Sequence, residues 1–116
     1  MRDLAIQAAG CLAVLAAVVH GVLGETKVFA NARIEPAGAK LLLRLVWQCS
    51  AVAWIGLGVL LIAAPYMASD AARGWIVGAA TGTYGLGALA NAWATKGRHF
   101  GWMVLAAVVV LAIAGR

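Results

Sequence analysis

Four long apolar segments, Leu4–Gly24, Leu45–Ala64, Gly74–Thr95 and Phe100–Gly115, occupy almost the whole of this chain. A helix needs about 20 apolar residues to cross roughly 30 Å of hydrocarbon, and the first three segments meet that length. The fourth is short at about 1.5 Å per residue, unless Arg98 and His99 snorkel to the interface or the bilayer thins around it. Backbone amides in hydrocarbon must be bonded internally, which leaves helices or a closed barrel, and no alternation of period two runs through these segments. The pattern predicts an all-α fold: a four-helix transmembrane bundle, up-down-up-down, in one integral membrane domain (1–116) with helices at about 4–24, 41–64, 74–95 and 99–115.

Composition points the same way, with 65% hydrophobic and 11% charged residues where about a quarter are charged in soluble domains. Mean hydropathy is +0.95. The largest predicted loop, about Glu25 to Ala39, is too small to hold a core of its own. Any function is therefore expected inside or at the edge of the membrane. A net charge of +5 would suggest nucleic acid in a soluble protein. Here topology and anionic lipid headgroups explain it, and no nucleic-acid partner is expected. Ala30-Asn31-Ala32 looks like a signal-peptidase site. Against cleavage, the apolar run exceeds the usual stretch of about 7–15 residues, Asp3 cancels Arg2, and Gln7 and His20 are odd in a disposable segment.

Loop charges set the expected orientation. The first and third loops carry Lys27, Arg33, Lys40, Lys96 and Arg98, with Arg44 just inside the second helix, while the other side has Arg2, Arg73 and Arg116. By the positive-inside rule loops 1 and 3 are expected to be cytoplasmic and both termini to lie on the other side of the membrane. Phe29, Trp47, Trp93, Phe100 and Trp102 are expected at the basic border, Tyr66 and Trp75 at the other, and Trp54 deeper as packing.

Nearly every residue able to do chemistry falls at the basic end: His20, Glu25, Arg44, Gln48, Asn91, Arg98 and His99. Arg44 and Gln48 share a helix face, because i and i+4 side chains stack. An arginine at such a position calls for a partner or a polar cavity. Glu25 is the obvious partner if the first helix ends at Gly24 as a left-handed cap. On the other hairpin Gly97 can cap the third helix, Arg98 and His99 can act simply as a positive anchor, and Asn91 can bond between helices or enter a cavity. Cys11 and Cys49 read as small buried apolar residues, with no CxxC spacing. Gly74, Gly78 and Gly82 form two overlapping GxxxG steps, which predict a tight internal packing seam or, alternatively, a homo-oligomer interface. Thr81, Thr83 and Tyr84 could bond across either seam or line a narrow polar path.

The elements His20-Gly-Val-Leu-Gly24-Glu25, Arg44-Leu-Val-Trp47-Gln48 and Gly97-Arg98-His99-Phe-Gly-Trp102 resemble a family of small four-helix bacterial inner-membrane proteins whose activity is not known. The resemblance spans the chain in order and implies a membrane protein with a polar cluster on one side. The family pattern has a histidine where this chain has Gln48, which weakens any model needing a His pair between the first two helices.

Four functions compete. A small oligomeric transporter or channel would use Arg44 and Arg98 to attract an anion, with His20 titrating near neutrality. An accessory or assembly subunit of a larger membrane complex needs only the glycine face. A metal or haem protein has too few ligands in His20, Glu25 and His99, so neither metal nor cofactor is expected. An enzyme acting on lipid or quinone would need His20 and Glu25 within reach, yet five residues turn a helix through about 140° and part them. No catalytic residue is assigned. Small-solute transport stands narrowly first.

Overall fold

The computed structural model describes residues 1–116 and is all-helical, with four helices and no strand. Helix α1 spans Arg2–Leu23 and continues through a π-helical turn, Gly24–Val28, into a last α turn, Phe29–Asn31. Helix α2 spans Ala37–Ala63 with a 3-10 turn, Ala64–Tyr66, at its end; α3 spans Asp70–Thr95 and α4 Gly101–Ala114.

Local chemistry shifts several of these ends from where the apolar segments suggested. Pro36 precedes α2, its fixed φ suited to a helix start, so that α2 begins at Ala37 rather than at residue 41. Ser69 caps α3 by accepting from the Ala72 amide, so that α3 begins at Asp70 rather than at residue 74. Lys96 (φ 51°) and Gly97 (φ 75°) both turn left-handed after α3, as expected of a cap at Gly97. The fourth helix starts at Gly101, not at residue 99, because Arg98 and His99 form the turn and the His99 ring accepts from the Gly101 amide.

One expected boundary is wrong in kind. Gly24 is right-handed (φ −53°, ψ −52°) and does not end α1. The helix widens there and carries on, which reduces the first connection to 32–36. The apolar segment ends at Gly24, but helix formation depends on backbone bonds and packing, and Phe29 is buried against Trp47.

Helix α1 lies at the centre of the packing, against α2 on one side and α4 on the other, with α3 on α4 and a lighter α2–α3 contact. At the far end Arg73 of α3 donates to Asp3 at 2.7 Å and to the Gly115 carbonyl at 2.7 Å, tying the start of α1, the start of α3 and the end of α4 together. Gln7 donates to Tyr66 at 2.9 Å beside them. The helices therefore alternate in direction, and residues 20–48 and 91–102 share the opposite end.

The closest helix contact lies where no glycine repeat marks it. Ala9, Ala13 and Ala17 are fully buried on α1, and a Cβ on Gly10 would sit 2.6 Å from the Gly58 carbonyl of α2. By contrast, a Cβ on Gly74, Gly78 or Gly82 would meet nothing within 4 Å. The GxxxG stripe is thus on the open side of α3 and is no internal seam. Helix α3 instead turns its buried stripe, Val77, Ala80, Tyr84 and Ala88, into the core it shares with Leu105, Val108 and Ala112 of α4.

Only 19 of 116 residues are buried, so the outside of the bundle is itself apolar. Leu15, Val52, Leu86, Leu89 and Val110 are each at least 60% exposed. Cys11 and Cys49 also face outward as free thiols, contrary to their reading as buried residues, because they lie on the outer faces of α1 and α2. The helical stretches Arg2–Asn31 and Ala37–Tyr66 are long and apolar enough to cross a membrane. Helix α3 has the length, at 26 residues, but not the apolarity, and α4 is short at 14 residues.

Candidate functional site

The widened turn of α1 positions the charged residues. Here the carbonyls of His20 and Gly21 take side-chain donors from α2: Trp47 Nε1 at 2.9 Å and Gln48 Nε2 at 3.1 Å. The Trp47 indole lies directly on Gly24, where any side chain would collide with it. Glu25 follows at once and is held facing α2.

Glu25, Arg44 and Gln48 form one network. Arg44 Nε donates to Glu25 Oε2 at 2.7 Å, its Nη2 pairs with the same oxygen, and Gln48 Nε2 donates to Oε1 at 2.8 Å. Both carboxylate oxygens are therefore engaged. Glu25 lies past the apolar segment that ends at Gly24, and the hydrogen bonds from Arg44 and then Gln48 hold its carboxyl below the usual range against the opposing cost of desolvation. A depressed pKa stabilises the fold above the unfolded value and loses that contribution as pH falls through the folded one. The pair is accordingly expected to stay intact at pH 4.5, the ordinary value for the group. Infrared titration of the carboxylate band should place its loss below that pH, with the band absent in Glu25→Gln. Protonation at or above pH 4.5 would contradict the network.

His20 belongs to a different environment. Its ring stacks on Trp47 (centroids 4.2 Å apart, 8° between planes) and on Trp54 (4.9 Å, 26°), and Nε2 lies 3.2 Å from Ser50 Oγ. Ser50 in turn donates to the Trp47 carbonyl at 2.7 Å. Trp54 continues the stack edge-on to Tyr84, whose hydroxyl donates to the Trp54 carbonyl at 2.7 Å. This aromatic column joins α1, α2 and α3. Trp54 serves as packing, as expected, and Trp47 and Phe29 also turn inward against the bundle.

Asn91, Arg98 and His99 lie at the same end but form a separate group on the α3–α4 turn. Thr95 Oγ1 donates to the Asn91 carbonyl at 2.7 Å, the His99 ring stacks on Phe100, and Trp102 Nε1 donates to the Gly97 carbonyl at 3.1 Å. Asn91 Oδ1 is buried without a partner, and so is Thr81 Oγ1. Arg98 is exposed, and the chain's two ion pairs, Glu25–Arg44 and Asp3–Arg73, do not include it. No hydrogen bond or ion pair links this group to the Glu25 network. The end shared by the seven residues thus carries two polar groups and the aromatic column that holds His20, rather than one cluster.

The Glu25 network opens sideways. A furrow of about 520 Å³ runs between α1 and α2, floored by Ala17, Gly21 and Ala51, walled by Val18, Val22, Val52 and Ile55, and closed at its end by Glu25, Thr26 and Gln48. Sequence reasoning placed the carboxylate and its partners but missed Ser50, Trp47 and the furrow floor. The small residues Ala9, Ala13, Ala17 and Gly21, spaced four apart, are the signal that could have located that face. No three His, Cys, Asp or Glu side chains gather where they could hold a metal ion. Comparison with protein-family models, with curated proteins and with solved structures found no match to this chain.

Proposed function

We propose that this chain is an integral membrane protein that binds a small solute at its basic end and acts, as an assembly of copies, as a small transporter. The observation that carries the reading is the Glu25–Arg44–Gln48 network, a hydrogen-bonded charge pair at the end of two apolar helices, beside a furrow open on the bundle's apolar outer surface. Charged groups at the edge of hydrocarbon are costly, and a binding role accounts for their presence. The basic loops orient this end to the cytoplasm and attract anions and anionic headgroups. Ile6, Leu61, Tyr84 and Val108 fill the interior, so a path for solute runs between copies rather than through one.

Reconstituted in liposomes, the protein is expected to release trapped chloride or phosphate, with Arg44→Ala slowing release at least tenfold while its helical circular dichroism is unchanged. No release from the parent protein would remove transport. A second reading, an accessory subunit without chemistry, is favoured by the uncovered Gly74–Gly78–Gly82 stripe of α3, a surface where another helix can approach closely. Native mass spectra of gently extracted protein separate the two: a homo-oligomer supports transport, and a stoichiometric foreign subunit supports the accessory role.

A further inference from the structure

At the end of the bundle opposite the Glu25 network, Arg2, Asp3, Asp70, Arg73 and Arg116 line a cleft of about 740 Å³. Its charges divide into two sets. Arg73 and Asp3 are already paired and clamp the helix ends. The side chains of Arg2, Arg116 and Asp70 are exposed and take part in neither of the chain's ion pairs. Besides the Met1 amino group, two free guanidinium groups and one free carboxylate therefore face the same space. Beside the cleft the surface is strongly apolar and aromatic: Leu4 is 66% exposed, Tyr66 79% and Trp75 80%. Exposed Trp and Tyr at a helix end mark the level of lipid headgroups.

We infer that this cleft binds the headgroup of a zwitterionic phospholipid, a phosphodiester carrying a primary ammonium, an inference that rests on the membrane reading above. Arg2 and Arg116 present the forked donors that match phosphate oxygens. Asp70 presents acceptors alone, which match an ammonium and repel a second anion. The acyl chains then follow Leu4 and Trp75 into the hydrocarbon. A headgroup with phosphate as its sole charge would satisfy the arginines and leave Asp70 with nothing better than a neutral hydroxyl, and charge-assisted bonds are the stronger kind.

The test offers full-length protein in detergent an equimolar mixture of phosphatidylethanolamine and phosphatidylglycerol and reads the retained lipid by native mass spectrometry. The ethanolamine lipid is expected in about tenfold excess, the ratio of one charge-assisted bond. Asp70→Asn should abolish the preference yet keep phospholipid bound, and the double variant Arg2→Gln, Arg116→Gln should lose both lipids. These side chains are exposed and hold no other element, so circular dichroism should match the parent's. Equal retention of both lipids by the parent protein, or a preference that survives Asp70→Asn, overturns the inference. Displacement of bound lipid by soluble phosphoethanolamine at equal concentration also overturns it, since the ligand would then be a free phosphate ester. Flotation of the chain with phosphatidylcholine vesicles tests the membrane reading separately: a chain that floats but shows no preference loses only this site.

Discussion

Gly10→Leu is expected to break the α1–α2 contact, whereas the same change at Gly78 should leave the monomer folded. A Cβ at residue 10 would lie 2.6 Å from the Gly58 carbonyl and 2.8 Å from the Ile62 amide, and backbone atoms cannot move aside as a flexible side chain can. Overpacking of a filled contact costs about 1–3 kcal/mol, and more where backbone must shift. Leucine adds three further carbons to that collision, so Gly10→Leu belongs at or above the top of that range. At Gly78 nothing lies within 4 Å of the added atom. Denaturant titrations of the two variants in detergent, followed by helical circular dichroism, should therefore differ widely. Equal midpoints would show that the α1–α2 approach is looser than the structure has it. The same Gly78 variant also bears on assembly, because loss of the oligomer with an unaltered monomer would assign the stripe to contact between copies.

That contrast explains what was legible beforehand. The four helices follow from hydropathy and length, which need no knowledge of neighbours. Which small-residue stripe is used does depend on neighbours. Gly74, Gly78 and Gly82 carry the stronger motif, yet α3 turns Val77, Ala80 and Tyr84 to the core, while the close approach falls at Gly10 and Gly58, far apart in sequence and in no repeat. A motif records that a helix can approach another closely and does not name the helix.

The charged site divides in the same way. The Glu25–Arg44 pair was legible because a charge in an apolar context demands an opposite charge, and Glu25 begins the loop directly at the end of the first apolar segment. The loop expected to deliver Glu25 was wrong, since α1 never stops at Gly24. The side-chain donors Trp47 and Gln48 add bonds to carbonyls that already take the Gly24 amide, and those bonds arise only once α1 and α2 are packed. Asn91 and His99 were expected beside His20 because they share its depth. Depth fixes position along the bundle axis and leaves position around it open, so the aromatic column occupies the place the sequence reading had assigned to a mixed cluster.

Trp47 is the residue on which this end of the molecule most depends, and Trp47→Ala is expected to loosen α1 from Gly24 onward. The indole covers Gly24, stacks on His20, meets Phe29 edge-on at 5.7 Å and donates to the His20 carbonyl. Large aromatic-to-alanine changes cost about 3–5 kcal/mol at buried sites, and this half-buried position should lie near the lower figure. The loss is local, because Ile6, Ala9 and Ala13 hold the rest of α1 against the core without it. Amides of residues 25–31 should therefore exchange with deuterium much faster, while those of residues 6–17 keep their protection. Trp47→Phe retains a ring over Gly24 but removes the Nε1 donor, and should give an intermediate rate. If residues 25–31 exchange as slowly in Trp47→Ala as in the parent protein, the π turn holds its own shape and Trp47 merely rests on it. If they exchange fast, Glu25 owes its place beside Arg44 to a tryptophan of the neighbouring helix, and Trp47→Ala should weaken solute release as severely as Arg44→Ala does.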